Sequence, residues 1–378
     1  MPARNLEQSL AGRDNAFGLL RLVLAGLVLV DHSFPLGGFG DCPITGWTGG
    51  QESLGGLAVG GFFLLSGYLV TKSGLANDPL QFLWRRALRI FPAYWAVLLA
   101  TAFLLGPAIG LAEKGSLAGY LQGPSSGPLA YVVENLGLTV NRWGIYDLLS
   151  ESTPYGRAVH GSVFNGSIWT LVFEWRCYLL VLLLAVAGLL RRAPVVTVAF
   201  ALLLQGLLLA SRAGYQPLEH APALLRDVNT LKLTWEFLLG ASLALFARRV
   251  PLDDRLGALA LVAAALSLRF GGLFVVGFPA LGYGLLWLAA RLPERARRIG
   301  QRQDLSYGIY LWAFPVQQVA AFEGVPGLGW APWLLLTGLL TAGLALLSWR
   351  LVEKPALALK DRGPGLGWAH WRGALLRR

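Results

Sequence analysis

Residues 17–34 read FGLLRLVLAGLVLVDHSF, and this run decides the fold class. It is apolar apart from Arg21, Asp31, His32 and Ser33. A bilayer core takes about 20 apolar residues per helix, so the run reads as a membrane span. Nine further runs of this kind follow, at 55–72, 91–111, 168–190, 195–211, 231–247, 255–270, 272–290, 305–322 and 331–351. The composition of the 378 residues agrees, with 55% hydrophobic and 14% charged, against about 25% charged in an average soluble domain. Such a chain cannot cover a soluble core with polar surface. That excludes a cytosolic enzyme, a secreted disulfide scaffold and a disordered chain.

The net charge is +11, but the basic residues come in short clusters between apolar runs: Arg85/Arg86/Arg89, Arg191/Arg192, Arg248/Arg249 and Arg295/Arg297/Arg298. This pattern suits cytoplasmic loops beside anionic lipid and not a nucleic-acid surface. With the N-terminus inside, nearly all clusters fall on 1–16, 73–90, 191–194, 248–254, 291–304 and 352–378. The opposite loops, 35–54, 112–167, 212–230 and 323–330, carry few. The expectation is an all-α polytopic membrane protein of about ten transmembrane helices, both termini cytoplasmic. One transmembrane domain would cover 1–355, with a short basic cytoplasmic tail at 356–378. The first run has no small-residue cleavage site and reads as a retained anchor. The stretch 79–90, PLQFLWRRALRI, is too charged to cross and is expected to lie along the inner interface. Loop 112–167 is long enough to cap a cavity. Cys42 and Cys177 are not expected to pair, and no Cys/His spacing for a metal is present.

Polar side chains inside spans are functional candidates. Arg21 and His32 are eleven residues apart, so they share one face of the first helix, roughly 16 Å apart along its axis. A snorkelling arginine and an interface histidine fit the same positions equally well. Asp31 points about 100° away from His32 around the helix. Thr170, Glu174 and Tyr178 fall at i, i+4 and i+8 on one face, with Asn165 and Trp169 just before them. A glutamate so deep needs a partner or a wet cavity; a partner is expected from another helix, because Arg176 is not on its face. Arg85, Arg86 and Arg89 precede Tyr94; arginines beside an inner pocket suit phosphates, while plain lipid-headgroup contact is the commoner reading. Ser306 and Tyr310 share a face of the run that follows Asp304, and Pro315 is expected to kink it. Arg350 and Glu353 can pair at i, i+3. Of the remaining histidines, His160 is the one near the Asn165 cluster, where a solvated loop residue is the commoner reading; His220 and His370 lie elsewhere.

In order, these motifs resemble the integral-membrane acyltransferase-3 family, over about Gly12 to Pro355. Arg21 followed by His32 looks like its Arg-x10-His element. Gly61-Phe-Phe-Leu-Leu-Ser66-Gly67-Tyr68, Arg86-Ala-Leu-Arg89-Ile-Phe-Pro92, Asn165-Gly-Ser-Ile-Trp169-Thr with Glu174, Ser306-Tyr307 through Tyr310, and Leu351-Val-Glu353-Lys-Pro355 also fit. Many members carry a histidine where this chain has Ala313, so His32 is its only histidine within a span.

The resemblance implies a multi-pass enzyme of the bacterial inner membrane. It would transfer an acyl group, acetyl first of all, from acyl-CoA as co-substrate to a hydroxyl of a carbohydrate or glycolipid acceptor, with no permanently bound cofactor and no metal. His32 would be the general base, Arg21 would neutralise donor charge or the developing oxyanion, and Glu174 would complete the catalytic group. Arg86, Arg89 and Tyr94 would hold the donor; Asn165, Trp169, Ser306 and Tyr310 would support the cavity. A transporter or flippase for a glycolipid or small anion would use the same intramembrane polar residues without consuming acyl-CoA. A structural scaffold would tolerate changes at His32.

Overall fold

In lipid, backbone N–H and C=O groups must be paired within the chain, so apolar runs of this length become helices. The computed structural model describes residues 5–12, 14–123, 125–215, 219–220 and 222–362; Arg13, the tail beyond 362 and His370 lie outside them. Among the described residues there is no strand, only an isolated bridge between Asn5 and Pro251.

The principal helices are α1 (Phe17–Gly37), α2 (Leu54–Ala76), α3 (Pro79–Ala100), α4 (Gly106–Lys114), α5 (Pro128–Asn135), α6 (Leu171–Val186), α7 (Val195–Arg212), α8 (Val228–Leu245), α9 (Asp254–Phe270), α10 (Phe278–Arg291), α11 (Ser306–Phe322) and α12 (Trp330–Ser348). Seven helical stretches are long and apolar enough to cross a membrane: Phe17–Gly37, Leu54–Ala76, Pro79–Lys114, Ile168–Val186, Val195–Arg212, Leu273–Arg291 and Trp330–Ala358. The shorter or more charged α8, α9 and α11 occupy the other three expected positions.

The stretch 79–90 does not stand apart from the span that follows it. It is the first half of α3, whose N-cap Asp78 accepts from the Leu80 N–H at 3.0 Å. The helix continues through a π-turn at Thr101–Leu105 into α4. Pro79 and Pro92 are both tolerated, Pro79 because it sits in the first turn where an N–H would be unpaired anyway. Within loop 112–167, α5 is fastened to α3 by the Tyr94 hydroxyl, which donates to the Asn135 carbonyl at 2.6 Å.

Close approach of α2 and α8 organises the centre. A Cβ on Gly67 would strike the Phe237 carbonyl, and one on Gly240 would strike the Leu64 carbonyl. Small residues are how membrane helices gain contact where no water is left to expel. Lys232 of α8 is neutralised by Glu52, just before the N-terminus of α2. Against the α2–α8 pair, α1, α6, α7 and α10 assemble; α11 packs on α1 and α12, and α3 closes beside α6. The start of the tail packs back onto α3: the Trp84 indole N–H and Gln81 Nε2 donate to the Leu359 and Lys360 carbonyls, and Asp361 pairs with Arg85. Cys42 and Cys177 are both free thiols.

Candidate active site

Five helices, α1, α2, α3, α6 and α11, surround a cavity of about 110 Å³. Three arginines line it, Arg21, Arg86 and Arg89, together with Glu174, Ser306 and Tyr310. Its apolar wall comes from α2 through Val59, Phe62, Phe63 and Leu69. The cavity therefore pairs positive charge with a greasy side, inside the bundle.

One carboxylate organises two of the arginines. Asp304 Oδ2 accepts from Arg89 Nη2 at 2.6 Å and from Arg21 Nη2 at 3.1 Å. Its Oδ1 accepts from the Ser306 hydroxyl at 2.6 Å and the Ser306 N–H at 3.3 Å, at the first turn of α11. Burial pushes the Asp304 carboxyl upward, but the guanidiniums of Arg89 and Arg21 outweigh it and hold the group below the ordinary carboxylate range. Arg89 Nη1 also stands 4.0 Å from Glu353 Oε2. Glu353 lies on a π-turn, Trp349–Glu353, which carries it inward to accept from Ser348 at 3.2 Å and leaves Arg350 exposed. The expected Arg350–Glu353 pair is thus replaced by an inter-helix contact to Arg89.

Arg86 differs from the other two. It makes no ion pair or side-chain hydrogen bond among the described residues, and its Nε is buried without a partner. Its guanidinium lies 5.7 Å from the Tyr178 ring centroid, a cation–π distance. The Tyr178 hydroxyl donates to Glu174. So the hydrogen-bond partner of Glu174 comes from its own helix at i+4, where a partner from another helix was expected.

His32 shares the Arg21 face of α1, as the spacing requires, but does not line the cavity. It is half-buried above it, its ring edge-on to Phe314 at 5.4 Å. Its Nδ1 is 3.4 Å from the Ser167 hydroxyl oxygen. The Ser167 carbonyl accepts from the Tyr310 hydroxyl, which also bonds Thr170. A polar chain thus leads from His32 to the cavity wall. Neither the role of Ser167 nor the reach of Asp304 is legible from local spacing, because both connect segments far apart in the chain.

Asn165 anchors this chain through a proline. Pro315 has no N–H, so the Leu311 carbonyl one turn earlier loses its helical partner. Asn165 Nδ2 donates to that carbonyl at 3.0 Å, while its Oδ1 accepts from the Ser167 N–H at 3.1 Å. Trp169 stays outside the cavity lining, packed on Phe173 at 5.5 Å. Tyr94 also stays outside, committed to Asn135. Asp31 faces Leu54 and Gly55 at the N-terminus of α2, away from the imidazole. His160 is exposed and caps the short helix Pro154–Val159. No cluster of three or more His, Cys, Asp or Glu suited to a metal occurs among the described residues.

A helical membrane bundle around an arginine-lined cavity, with a histidine above it, defines a polytopic membrane protein with a polar site inside the bundle. The chain belongs to the acyltransferase-3 family: the family model, described as an acyltransferase domain, matches residues 14–350. It is similar to an O-acetyl transferase of Shigella phage Sf6, 27% identical over 351 residues, which span 90% of this chain and 96% of the relative. It is 30% identical over 371 residues to Nodulation protein 10 of Rhizobium leguminosarum bv. viciae, spanning 93% and 95%. It is 27% identical over 336 residues to the exopolysaccharide production protein ExoZ of Rhizobium meliloti, spanning 82% and 92%. No solved structure matches. The protein is therefore a multi-pass membrane acyltransferase.

Proposed function

We propose that the protein O-acylates a cell-surface or exported carbohydrate, with acetyl-CoA as the donor, across a bacterial inner membrane that it spans ten times with both termini inside. The observation that carries this reading is Arg86. Among the described residues it is a cation without an acidic partner, lining a cavity at the arginine-rich end of the bundle, where an anionic donor enters. The O-acetyl transferase and exopolysaccharide names among the relatives support the acceptor class.

Geometry divides the roles. Arg21 and His32 stand roughly 16 Å apart along α1, and an oxyanion donor must lie about 3 Å from the reacting oxygen. Arg21 therefore serves the donor end of the cavity, held in place by Asp304, and the reacting carbonyl lies near His32. With Ser167 Oγ accepting from Nδ1–H, His32 presents the Nε2 lone pair to the acceptor hydroxyl. The hydroxyl oxygen attacks the thioester carbonyl as Nε2 takes its proton. The tetrahedral intermediate collapses, the C–S bond breaks, and the CoA thiolate receives the proton. The acylated hydroxyl leaves outward and CoA leaves inward.

The test is purified protein in nanodiscs with labelled acetyl-CoA and the host's surface polysaccharide, read by mass spectrometry of the glycan. Acyl-CoA consumption matched by glycan O-acetylation is expected. Glycan movement without any CoA release would replace the reading by a transporter.

A further inference from the structure

A second cavity, of about 320 Å³, lies where the C-terminal ends of α2 and α6 meet. Gly74, Leu75 and Asn77 form one side, and Arg191 and Arg192, just after α6, form the other. No carboxylate lines it. Arg191 Nη2 donates to the Leu75 carbonyl at 2.6 Å, which fixes that guanidinium at the rim and leaves its other N–H groups free. Arg192 makes no ion pair and no side-chain hydrogen bond among the described residues. Two guanidinium forks around an acid-free hollow suit a phosphate-bearing group.

Its place relative to the active cavity is what gives the hollow meaning. α2 and α6 form walls of both. Val70 lines the first cavity and Gly74 the second, roughly 6 Å further along α2; Ser66 and Asn77 are roughly 16 Å apart. Arg85, beside Arg86, donates to Asn77 Oδ1 at 2.7 Å, so the two cavities are also tied through α3. Between them Gly74 sits against Val181, Leu190 and Phe82, an apolar stretch. A molecule with a reactive thioester at one end, a long slender arm and phosphates at the other has the length to reach from one cavity to the other.

Building on the acyl-CoA reading above, we propose that this second cavity is the subsite for the donor's nucleotide phosphates, with Arg192 and Arg191 as its recognition residues. Lipid headgroups carry the same phosphate chemistry at the same membrane depth, so the experiment uses two donors. Acetyl-CoA and S-acetyl-pantetheine share the thioester and the arm, and only the first has the nucleotide.

In nanodiscs prepared at two anionic-lipid contents, Arg192→Gln should raise the KM for acetyl-CoA about tenfold or more at both, with kcat held. It should leave the KM for S-acetyl-pantetheine unchanged. Adenosine 3′,5′-bisphosphate should inhibit the wild type competitively and lose potency on the variant. Arg192→Lys, which keeps the charge, should recover part of the effect. Arg192 has no ion-pair or hydrogen-bond partner to lose among the described residues, so the variant accumulates normally; Arg191→Gln is the second, independent variant. An unchanged acetyl-CoA KM in both variants would overturn the subsite while leaving the acyltransferase reading intact. Equal shifts for both donors that track anionic lipid content would assign the arginines to a headgroup and overturn it too. Wild-type turnover with neither donor would remove the acyl-CoA reading, and this subsite with it.

Discussion

At the residue scale, the three arginines of the cavity are not equivalent. Arg86 makes no ion pair among the described residues, whereas Arg89 and Arg21 share Asp304. Arg86→Ala should raise the donor KM about tenfold with little loss of folded protein. Asp304→Asn should lower stability instead, by about 3–5 kcal/mol if the pair behaves like other buried ion pairs broken from one side, visible as earlier melting in detergent. The sign with pH follows from the depressed Asp304 carboxyl. Its contribution is complete above the free-Asp range near about 3.9 and is lost only as pH falls below it. A kcat/KM profile between pH 5 and 8 should therefore keep its shape in Asp304→Asn. His32→Gln keeps hydrogen bonding but takes no proton near neutrality, and should cost about 10²–10⁴-fold in rate at normal abundance. Turnover within a few-fold of wild type would move the base elsewhere.

At the element scale, two devices carry the site. The proline in α11 frees the Leu311 carbonyl, and Asn165 uses it to hold the turn that presents Ser167 to His32. Asn165→Ala should reduce kcat without changing donor KM; a shift in donor KM alone would place its role at the other end of the bundle. The second device is the backbone approach of α2 and α8, where Gly67→Ala should destabilise by about 1–3 kcal/mol. Much of this was legible beforehand. The Arg21–His32 face follows from helix geometry, and the spans follow from hydropathy. The boundary of α3 did not follow, because a rule that stops a span at its arginines cannot know that Asp304 and Tyr178 will receive them. The direction of Glu353 did not follow either. A π-turn shifts the facing of everything after it, and period counting assumes there is none.

At the scale of the whole molecule, charge sorts the two ends of the bundle. The arginine clusters, the cavity mouth with Arg86 and the hollow at Arg191 and Arg192 lie toward one end, and loop 112–167 folds over the other. Single cysteines placed in 112–167 and 291–304, in a background lacking Cys42 and Cys177, should label from opposite sides of the membrane. Labelling from one side would undo the direction of transfer argued above.

The carboxylate that joins Arg21 to Arg89 also has a place in time. Arg21 enters the membrane with the first helix, and Asp304 is synthesised roughly 280 residues later. At ordinary elongation rates that is an interval on the order of tens of seconds. Through that interval Arg21 lacks its carboxylate partner, and the length of its side chain lets it wait at the lipid headgroups. A chain halted before α11 would thus carry every cavity arginine and still lack the carboxylate that sets two of them. Acquisition of activity is therefore tied to the last third of translation, and the nascent protein is chemically silent until the bundle is nearly complete.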